Sequence, residues 1–465
     1  MQMVEITSFD DGIIRWAAQG ARAFSVEVDG EYVSDGGDGL YRACALDVNR
    51  FENKPLVVSV CDARDERSRV DFVVSSDRKT LSMPTVPVEV KSGVLHWRAV
   101  SGASRYKLVD IKQNVIYTDR CYYDANYRNV VYGVCAVSAN KLIRDGEIAH
   151  IKYLDGNGSE ESPFIISSPF ELRAIDYYEQ LYADGARARN HYIIDRDINF
   201  NSVAALEGES NMFTLSRPFY GVLDGGRHML YNVTVGYDGG YWALFDFLAR
   251  GAVIENLIFS GMAVTNRLQS AYAPLDASIA AVAHVNYGEI RNIVVKNAKF
   301  LSGGGAVCGI CSHNSGTVRD CTVSGEFAQS LSGLIGQACY EAAGIVAENR
   351  AGGVVENNAV LDLTIRGSFA EDARGVHYPN VRTAAGIVAV NRAGGRVGDN
   401  MFGRLDLVSV EPQSAEYGGV CAYNAGLVRL GDVKNTGAFK VNGAEVKRAV
   451  GKNDGVVVGE QCTQD

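Results

Sequence analysis

Residues 343–357 read AGIVAENRAGGVVEN, and residues 385–400 read AGIVAVNRAGGRVGDN. The pattern occurs four more times, as AAVAHVNYGEIRN from Ala280, CGICSHNSGTVRD from Cys308, GGVCAYNAGLV from Gly418 and a degenerate VGKNDGVVVG from Val450. Each copy has a small residue, a short apolar strand, an Asn, a Gly turn and a second apolar strand. Repeats of this size indicate stacked supersecondary units, none of which buries its apolar face alone.

Every copy places an Asn after its first strand, and these residues are Asn286, Asn314, Asn349, Asn391, Asn424 and Asn453. Because side chains alternate along a strand, the residues two and four positions earlier share the face of the Asn. The fourth residue before it is Val or Ile, at Val282, Ile310, Ile345, Ile387 and Val420. The second before it is mostly small, at His284, Ser312, Ala347, Ala389 and Ala422. We expect this face to point inward and the Asn amides to form a structural ladder from Asn286 to Asn424.

Composition narrows the class of protein. The chain has 465 residues, enough for two or three domains, and 47% of them are hydrophobic. Fifty Gly and nine Pro suit a turn-rich β protein. The net charge of −10 argues against nucleic acid as a partner, because phosphate binding needs a basic surface. No apolar run reaches the roughly 18 residues of a membrane span.

The ten Cys residues are interpreted as small buried hydrophobes, since most lie inside apolar strand patterns. This favours a reducing setting. Cys308 and Cys311 form a C-x-x-C pair, but a redox pair of this kind belongs at a helix start, which is missing here. The position of Cys311 is held by Ala283, Val346, Val388 and Cys421 in other copies, so we predict packing. No metal site and no cofactor are predicted.

Two similar modules open the chain. GIIRWAAQGARAFSVEVDG contains Trp16, and GVLHWRAVSGASRYKLVDI contains Trp97. A Trp on one strand, a Gly-Ala turn and an aromatic on the next strand are typical of a small β-sandwich with the Trp in its core. Both modules resemble fibronectin type III domains. We expect them at residues 1–78 and 79–154, as spacers or docking platforms.

A Gly/Ser/acid-rich linker precedes the strongest helix signal of the chain, SPFELRAIDYYEQLYADG from Ser168. Ser168 is the predicted N-cap, Pro169 the first helical residue and Glu171 the acid of a capping box. A single amphipathic helix before a strand array covers the open end of that array, which otherwise exposes unpaired edges. The sequence therefore predicts one N-terminal capping helix.

Residues 155–458 resemble the GLUG-motif proteins. The resemblance rests on the helix entry Pro163 to Leu172, the segment Tyr192 to Phe200, the segment Phe219 to His228 and the Gly/Asn copies quoted above, in that order. It implies a right-handed parallel β-helix over residues 155–465. The fold class is thus all-β, with two sandwiches followed by a β-helix. The family also implies cell-surface or secreted proteins far more often than a defined enzyme.

LDGGRHM at residues 223–229 brings Asp224 within four residues of His228, which raises the question of acid-base chemistry. Two glycines after an Asp, between two apolar strands, more simply make a tight turn. The resemblance also implies a structural turn here. We predict no catalysis at this segment.

Four insertions lengthen the copies, at residues 265–278, 328–342, 367–383 and 409–417. All fall between the second strand of one copy and the start of the next, so they meet at one edge of the stack. In repeat folds such insertions map to one face, often the binding face. Each carries an aromatic residue, and charged residues including Glu341 and Arg382 accompany them. The predicted ligand-binding residues, suited to a polyhydroxylated ligand, are Tyr272, Tyr340, Arg374, Tyr378 and Tyr417.

The four insertions have one alternative role, which is to cover the apolar surface of the stack without binding a ligand. A second alternative is a polysaccharide lyase or glycoside hydrolase, for which the insertions offer Glu371, Asp372 and His377 as catalytic residues. Hydrolysis needs two facing carboxylates, and a lyase needs a base and a cation. No motif orders these residues, so the leading prediction is a non-catalytic binding or adhesion protein.

The third alternative is a structural subunit of a phage tail or other appendage. The expected partner is a glycan or protein on a cell surface, with self-association through the C-terminal end of the β-helix as a further expectation. The opening residues MQMVEITSFDDG show no secretory signal. The family resemblance still implies an extracellular or cell-surface location, and a cytoplasmic or phage-associated location is the alternative.

Overall fold

The computed structural model describes residues 3–36, 38–91, 94–110, 114–124, 131–181, 189–202, 214–237, 240–266, 278–302, 305–329, 341–367, 369–371, 377–379, 381–408, 415–430 and 438–459. The chain divides into two compact units, Met1–Tyr153 and Leu154–Asp465. The sheets of the first unit pair antiparallel except where Leu81–Ser82 meets Ile143–Arg144, and those of the second are almost entirely parallel.

The first unit contains four sheets in its described residues. A three-stranded sheet consists of Glu5–Asp10, Ile13–Ala17 and Ala45–Asp47, and a 3-10 helix follows at Val48–Arg50. A six-stranded sheet consists of Phe24–Val28, Glu31–Val33, Leu56–Asp62, Asp65–Val74, Leu81–Ser82 and Ile143–Arg144. The other two consist of Val88–Lys91, Val94–Trp97 and Tyr122–Asp124, and of Ala103–Asp110, Val115–Thr118, Val131–Ser138 and Ala149–His150.

Each tryptophan singled out in the sequence lies in a core of this unit. Trp16 is 3% exposed and its ring centroid lies 5.7 Å from that of Phe24, edge to face. Trp97 lies 5.3 Å from Tyr106 in the same arrangement. The sandwich-like sheets therefore form around the predicted Trp–aromatic pairs. Leu81–Ser82 pairs with Asp65–Val74 and with Ile143–Arg144, so one sheet draws on both proposed modules. Their division at residue 78 stays a prediction.

The second unit is a parallel β-helix whose rungs contribute to four sheets, numbered here as faces. Face 1 consists of Phe164–Ile166, His191–Ile194, Val222–Asp224, Val253–Glu255, Glu289–Arg291, Thr317–Arg319, Val354–Glu356, Arg396–Gly398, Leu427–Arg429 and Val456–Val458. Face 2 consists of Ile198–Asn199, Met229–Tyr231, Thr234–Tyr237, Ile258–Ser260, Ala263–Asn266, Val294–Ser302, Thr322–Gln329, Ala359–Arg366, Met401–Val408, Phe439–Val441 and Ala444–Glu445.

Faces 3 and 4 are built from shorter strands. Face 3 consists of Tyr241–Trp242, Ser278–Ile279, Ala306–Cys308, Glu341–Ala343, Thr383–Ala385 and Glu416–Gly418. Face 4 consists of Phe245–Leu248, Ala283–Asn286, Cys311–Asn314, Val346–Asn349, Val388–Asn391, Cys421–Asn424 and Val450–Asn453. A hairpin, Phe369–Glu371 with His377–Pro379, lies outside these faces, and a 3-10 helix spans Phe200–Ser202. The all-β prediction, with sandwich-like sheets before a right-handed parallel β-helix, is confirmed.

The predicted ladder of asparagines runs along the last residues of the face 4 strands. The side-chain amide of Asn314 donates to Asn349 Oδ1 at 2.9 Å, and Asn349 donates to Asn391 Oδ1 at 2.9 Å. Asn349 Nδ2 also lies 3.2 Å from the carbonyl of Gly353 in the turn that follows. Equivalent bonds join Asn286 to Asn314, Asn391 to Asn424 and Asn424 to Asn453. These amides are satisfied within the stack, so their role is structural.

A second series of polar residues lies where face 1 turns into face 2. Five residues directly after face 1 strands adopt the left-handed conformation, and they are Asn256, Asn292, Asp320, Asn357 and Asp399. Asn and Asp tolerate this conformation better than other residues with a side chain. Asn256 Nδ2 donates to Asp224 Oδ1 at 2.9 Å, and Asn292 in turn donates to Asn256. The sequence prediction missed this series.

The residues two positions before the ladder are buried, as expected, and they pack toward face 3. The ring of His284 stacks on Tyr241 of face 3 with centroids 4.1 Å apart, and the Ser312 hydroxyl donates to Ser278 of face 3 at 2.9 Å. Ala347 and Ala389 pack in one apolar cluster with Ala343 and Val390, against the partly exposed Tyr423. These residues therefore fill the angle between faces 3 and 4.

The helical segment begins where predicted and then bends. It consists of Pro169–Arg173 and Ile175–Leu181, separated by a turn at Ala174. The Ser168 hydroxyl accepts from the Glu171 amide at 3.2 Å, while the Glu171 carboxylate accepts from the amide of Ser167 rather than that of Ser168. Tyr178 stacks on Phe164 of the first face 1 strand, 4.2 Å between centroids. The segment therefore lies at the N-terminal end of the β-helix.

Six of the eight cysteines in the described residues are buried, and those eight are all free thiols. Burial raises the pKa of Cys308 to about 12, and the Cys311 sulfur lies 3.4 Å from the His313 carbonyl. Both features describe packed, unreactive thiols rather than a redox pair. Within the described residues, no helix has the length and apolar character needed to cross a membrane.

Asn349→Leu should lower the free energy of unfolding of the β-helix by about 3 kcal/mol. The change removes the amide that bonds Asn391 and Gly353 and leaves the Asn314 amide without its acceptor, and each buried unsatisfied group costs about 1–3 kcal/mol. Urea unfolding followed by fluorescence measures the loss. Asn201→Leu, at an exposed position, should stay within about 0.5 kcal/mol of the parent. Equal midpoints for Asn349→Leu and the parent chain would contradict the ladder's structural role.

Candidate functional site

A cavity of about 260 Å³ lies in the angle between faces 3 and 4, toward the C-terminal half of the β-helix. Its lining consists of Glu341, Arg382, Thr383, Val390, Arg392, Glu416, Tyr423 and Lys452. Glu341, Arg382 and Glu416 are among the last residues of three of the four insertions found in the sequence. The cavity is therefore the described part of the predicted loop edge.

Strand register brings these residues together from distant parts of the chain. On face 3, Glu341 pairs with Thr383, and Thr383 pairs with Glu416. On face 4, Val390 pairs with Tyr423, and Tyr423 pairs with Lys452. Neighbouring strands lie about 4.8 Å apart, so the side chains paired in register form one row on each face, with that spacing between them. Because the two faces meet at a corner, both rows line the same cavity.

Glu348 lies in the same face 4 row as Val390 and binds the charged side chains at this corner. Its Oε1 accepts from Arg392 Nε at 2.7 Å, and its Oε2 accepts from Arg350 Nε at 2.7 Å. His313 Nδ1 lies 3.0 Å from Glu348 Oε2 and 3.0 Å from an Arg350 nitrogen. Together, the His313, Arg350 and Arg392 side chains hold the pKa of Glu348 well below its ordinary value, against the effect of burial. Glu348 is thus a permanent anion that orients two guanidinium groups.

Glu341 is in the opposite situation. No hydrogen bond to its carboxyl group is found among the described residues. Burial, and then the negative charge of Glu348, raise the pKa of Glu341 to about 7, although Arg392, Arg350 and Arg382 act in the other direction. A carboxyl group with a pKa near neutrality changes its charge at physiological pH, which structural carboxylates seldom do.

Thr383 supplies a buried hydroxyl to the cavity wall. The residue is 4% exposed, and its Oγ1 has no hydrogen-bond partner in the part of the chain that the structure describes. A buried polar atom without a partner costs about 1–3 kcal/mol. Such an atom beside a cavity gains a hydrogen bond when a ligand oxygen comes within reach.

The far side of the cavity carries an aromatic ring and a cation. Tyr423 donates from its hydroxyl to Asp454 Oδ2 at 2.9 Å, which fixes the ring. The Lys452 ammonium lies 5.3 Å from that ring centroid, 3.7 Å from Glu416 Oε1 and 4.0 Å from Asp454 Oδ2. Both carboxylate distances exceed hydrogen-bond length, so the ammonium keeps donors for another acceptor.

An aromatic row continues from the cavity toward the N-terminus of the stack. His284 stacks on Tyr241, and its ring centroid lies 5.2 Å from that of His313. Its Nδ1 lies 2.9 Å from the Ser278 hydroxyl. Burial, and then the charges of His313 and Arg350, lower the pKa of His284 to about 3. His284 is therefore a neutral packing residue and not a proton carrier at physiological pH.

The residues predicted from the loops have different outcomes. Tyr417 is described, half-buried on face 3, with the Arg448 guanidinium 5.3 Å from its ring centroid. The backbones of Glu371 and His377 pair directly in the hairpin, as do those of Ala370 and Tyr378, but their side chains lie outside the described set. Tyr272, Tyr340, Asp372 and Arg374 also lie outside the described residues. Their roles stay predictions.

Sequence reasoning had noted Glu341 and Arg382 as loop residues but missed the others, above all Thr383, Arg392, Tyr423 and Lys452. A signal was present, because the residue just before each ladder Asn is polar or aromatic in four copies, at His313, Glu348, Tyr423 and Lys452. That row faces the corner. Its polarity contrasts with the apolar residues that surround it.

Other candidate clusters are structural. Asp224 accepts from the Gly226 amide at 2.9 Å within its own turn, and His228 lies beside Asp197 at 3.4 Å rather than beside Asp224. Gly226 and Arg227 both have positive φ, so LDGGRHM is a turn. In the described ranges, no three His, Cys, Asp or Glu side chains are grouped as a metal site requires.

No protein-family model and no curated protein matches the chain. Solved structures do match, and one of them, from Bacteroides ovatus, is provisionally described as an immunoglobulin A1 protease. It is 16% identical with a TM-score of 0.41, and the match covers 65% of this chain and 86% of that one. A structure described as IgA1 protease is 12% identical with a TM-score of 0.40, covering 98% of this chain and 28% of its own. Likeness at this level assigns neither an activity nor a site residue.

Glu341→Gln should stabilise the protein above pH 7 and have little effect near pH 4. Because the pKa of this acid is raised in the folded state, the ionised form costs stability, and that cost appears as pH rises through about 7. The gain at pH 8.5 is expected to be about 1–3 kcal/mol. Thermal unfolding of both chains at pH 5 and pH 8.5 measures it.

Glu348→Gln is the matched comparison, because the pKa of Glu348 is shifted in the opposite direction. Its ionised form stabilises the fold above the unfolded-state pKa, so this variant should be destabilised at pH 7 and at pH 8.5. If both Gln variants respond to pH in the same way, the assignment of opposite charge states at the corner is wrong.

Proposed function

We propose that this protein is a non-catalytic binding protein that recognises a glycan or surface polymer at the corner cavity and the loops leading into it. The observation that carries the proposal is the cavity lining. A fixed tyrosine ring, a free hydroxyl, guanidinium groups and carboxyl groups surround one space of about 260 Å³. Carbohydrate ligands suit such a lining, because their C–H faces pack on aromatic rings while their hydroxyls bond charged groups.

The cavity size supports recognition of one sugar unit at a time. Small-molecule pockets usually span about 300–1,000 Å³, so this cavity lies near the lower limit. A polymer would place a single residue inside and run along the loop edge outside. Tyr272, Tyr340, Arg374, Tyr378 and Tyr417 belong to that outer contact in this proposal. The GLUG-motif and fibronectin type III assignments and an extracellular or cell-surface location are part of it, with a cytoplasmic or phage-associated location as the alternative.

A second candidate function, a polysaccharide-active enzyme, is favoured by Glu341. A general base works best with a pKa near the working pH, and that of Glu341 is raised to about 7. Arg382 and Arg392 face the same cavity and supply the cation that a lyase reaction requires. Release of unsaturated or reducing sugar products, abolished by Glu341→Gln, would establish this function in place of binding alone. Glu371, Asp372 and His377 would be tested next.

Tyr423→Ala should weaken glycan binding about threefold to tenfold, because stacking on an aromatic ring contributes about 0.5–1.5 kcal/mol. The measurement is a glycan array followed by titration calorimetry on the best binder, with the full chain. A triple change of Tyr272, Tyr340 and Tyr378 to Ala tests the loops. Tyr220→Ala removes a half-exposed tyrosine that does not line the cavity, and should bind like the parent. Binding that survives all the cavity and loop changes would move the site elsewhere.

Self-association through the C-terminal end is proposed as a secondary property. The last face 1 strand, Val456–Val458, pairs on one side with Leu427–Arg429, and its Val456 and Val458 are 58% and 51% exposed. An apolar edge strand readily pairs with another chain. Sedimentation velocity should show concentration-dependent species for the parent and not for Val456→Lys with Val458→Lys. A monomer at every concentration would refute this property.

A further inference from the structure

We propose that the cavity selects an acidic sugar, holding its carboxylate between Arg382, Arg392 and Lys452 with the Thr383 hydroxyl as a fourth donor. This inference rests on the proposed function, since it names the class of glycan that the same site takes. It specifies that the ligand carries a carboxylate, as uronic and sialic acids do. A neutral glycan of the same shape is the alternative that must bind more weakly.

The first argument is the number of unused donors. Arg392 commits its Nε to Glu348, and its other N–H groups have no partner among the described residues. A guanidinium has five N–H donors in a planar fork that fits a carboxylate. Among the described residues, the carboxylate oxygens paired with Lys452 lie at 3.7 and 4.0 Å, too far for hydrogen bonds. Two cations in one cavity wall thus keep donors for an incoming anion.

The second argument is independent of charge. Thr383 is 4% exposed, lines the cavity and has a hydroxyl without a protein partner in the described residues. It lies between Glu341 and Glu416 in register on face 3, so both of its neighbours in the row are acceptors. A hydroxyl that donates to neither of them is available to donate to a ligand oxygen. The cavity therefore has a buried polar group that a bound ligand would satisfy.

The third argument concerns Glu348 and the fold that surrounds it. Glu348 is buried and accepts from Arg350 and Arg392, which keeps both guanidinium groups at the corner. The cavity lining itself carries three cationic side chains, Arg382, Arg392 and Lys452, against the two carboxyl groups of Glu341 and Glu416. The whole chain carries a net charge of −10. A cationic pocket on an acidic protein is a local exception to the overall charge, and an anionic ligand is the partner that matches it.

Glu341 makes the binding depend on pH. An anion placed beside Glu341 favours its protonated form, so binding should take up a proton and tighten as pH falls from 8 to 6. The other groups that face Glu341 are Glu348, Arg350, Arg382 and Arg392, with Glu416 and Lys452 across the cavity and His313 beyond Glu348. Glu341→Gln assigns the effect to this carboxyl group. That variant should bind without the dependence.

The experiment compares galacturonate, glucuronate and N-acetylneuraminate oligosaccharides, each beside its own methyl ester, on the full chain by titration calorimetry. The ester keeps the sugar and removes the charge. The parent should bind at least one acid about tenfold more tightly than its ester. Arg382→Gln and Lys452→Gln should each lose most of that preference, and Thr383→Val should weaken the acid alone. Arg404→Gln, an exposed arginine paired with Asp362 on face 2, is the matched control and should change nothing.

The outcomes separate this inference from the proposal beneath it. Equal affinity for acids and esters, with Tyr423→Ala still weakening both, would overturn acid selection and leave glycan binding standing. Absence of binding to any acidic or neutral glycan would remove both. A melting temperature no lower than that of the parent for Thr383→Val, and an unchanged one for Lys452→Gln, show that a loss of affinity reflects the site and not the fold. Loss of preference in Arg404→Gln as well would also overturn the inference, because a distant cation should not matter.

Discussion

The hydrogen bond from one asparagine side chain to the next is the interaction on which the β-helix depends. Each amide spans the gap between two rungs at 2.7–2.9 Å, and each is buried, apart from the last copy at Asn453. A buried amide can bond its neighbour at this distance only if the rungs keep register. The ladder therefore fixes the spacing of faces 3 and 4, and any extra residues in a rung must leave the stack elsewhere.

The insertions leave between face 2 and face 3, and this placement creates the cavity. Glu341, Thr383 and Glu416 are the first residues to rejoin the stack after three insertions, so they share a row at one edge. The next row, on face 4, lies one residue before the ladder. The face 3 row is placed by the points at which the insertions end, and the face 4 row is placed by the Asn ladder. Residues more than a hundred positions apart in the sequence therefore meet in one site. The cavity is thus a consequence of the repeat and its interruptions.

Three acidic residues of the β-helix unit show how hydrogen-bond partners decide the role of a carboxyl group whose pKa is raised. Asp176 and Glu179 of the N-terminal helical segment are buried, and burial raises the pKa of both. Yet Asp176 accepts from the Ser216 and Arg217 amides, and Glu179 accepts from Tyr192 and the Tyr220 amide, so both join the helix to the first rungs. The pKa of Glu341 is raised as well, and its carboxyl group has no such bonds in the part of the chain that the structure describes. A buried acid without partners marks a ligand site more than a structural joint.

The sequence by itself determined the stack of repeated β units, the inward Asn ladder, the two buried tryptophans and the N-cap at Ser168. These follow from local rules, since period-two alternation, repeat spacing and capping residues act over a few positions. The tertiary structure alone decided that His284 turns to Tyr241, that left-handed Asn and Asp residues form a second series, and that Arg392, Thr383, Tyr423 and Lys452 share a cavity. Their distances depend on the corner angle between two faces and on register between rungs. A single copy of the repeat encodes neither the corner angle nor the register between rungs.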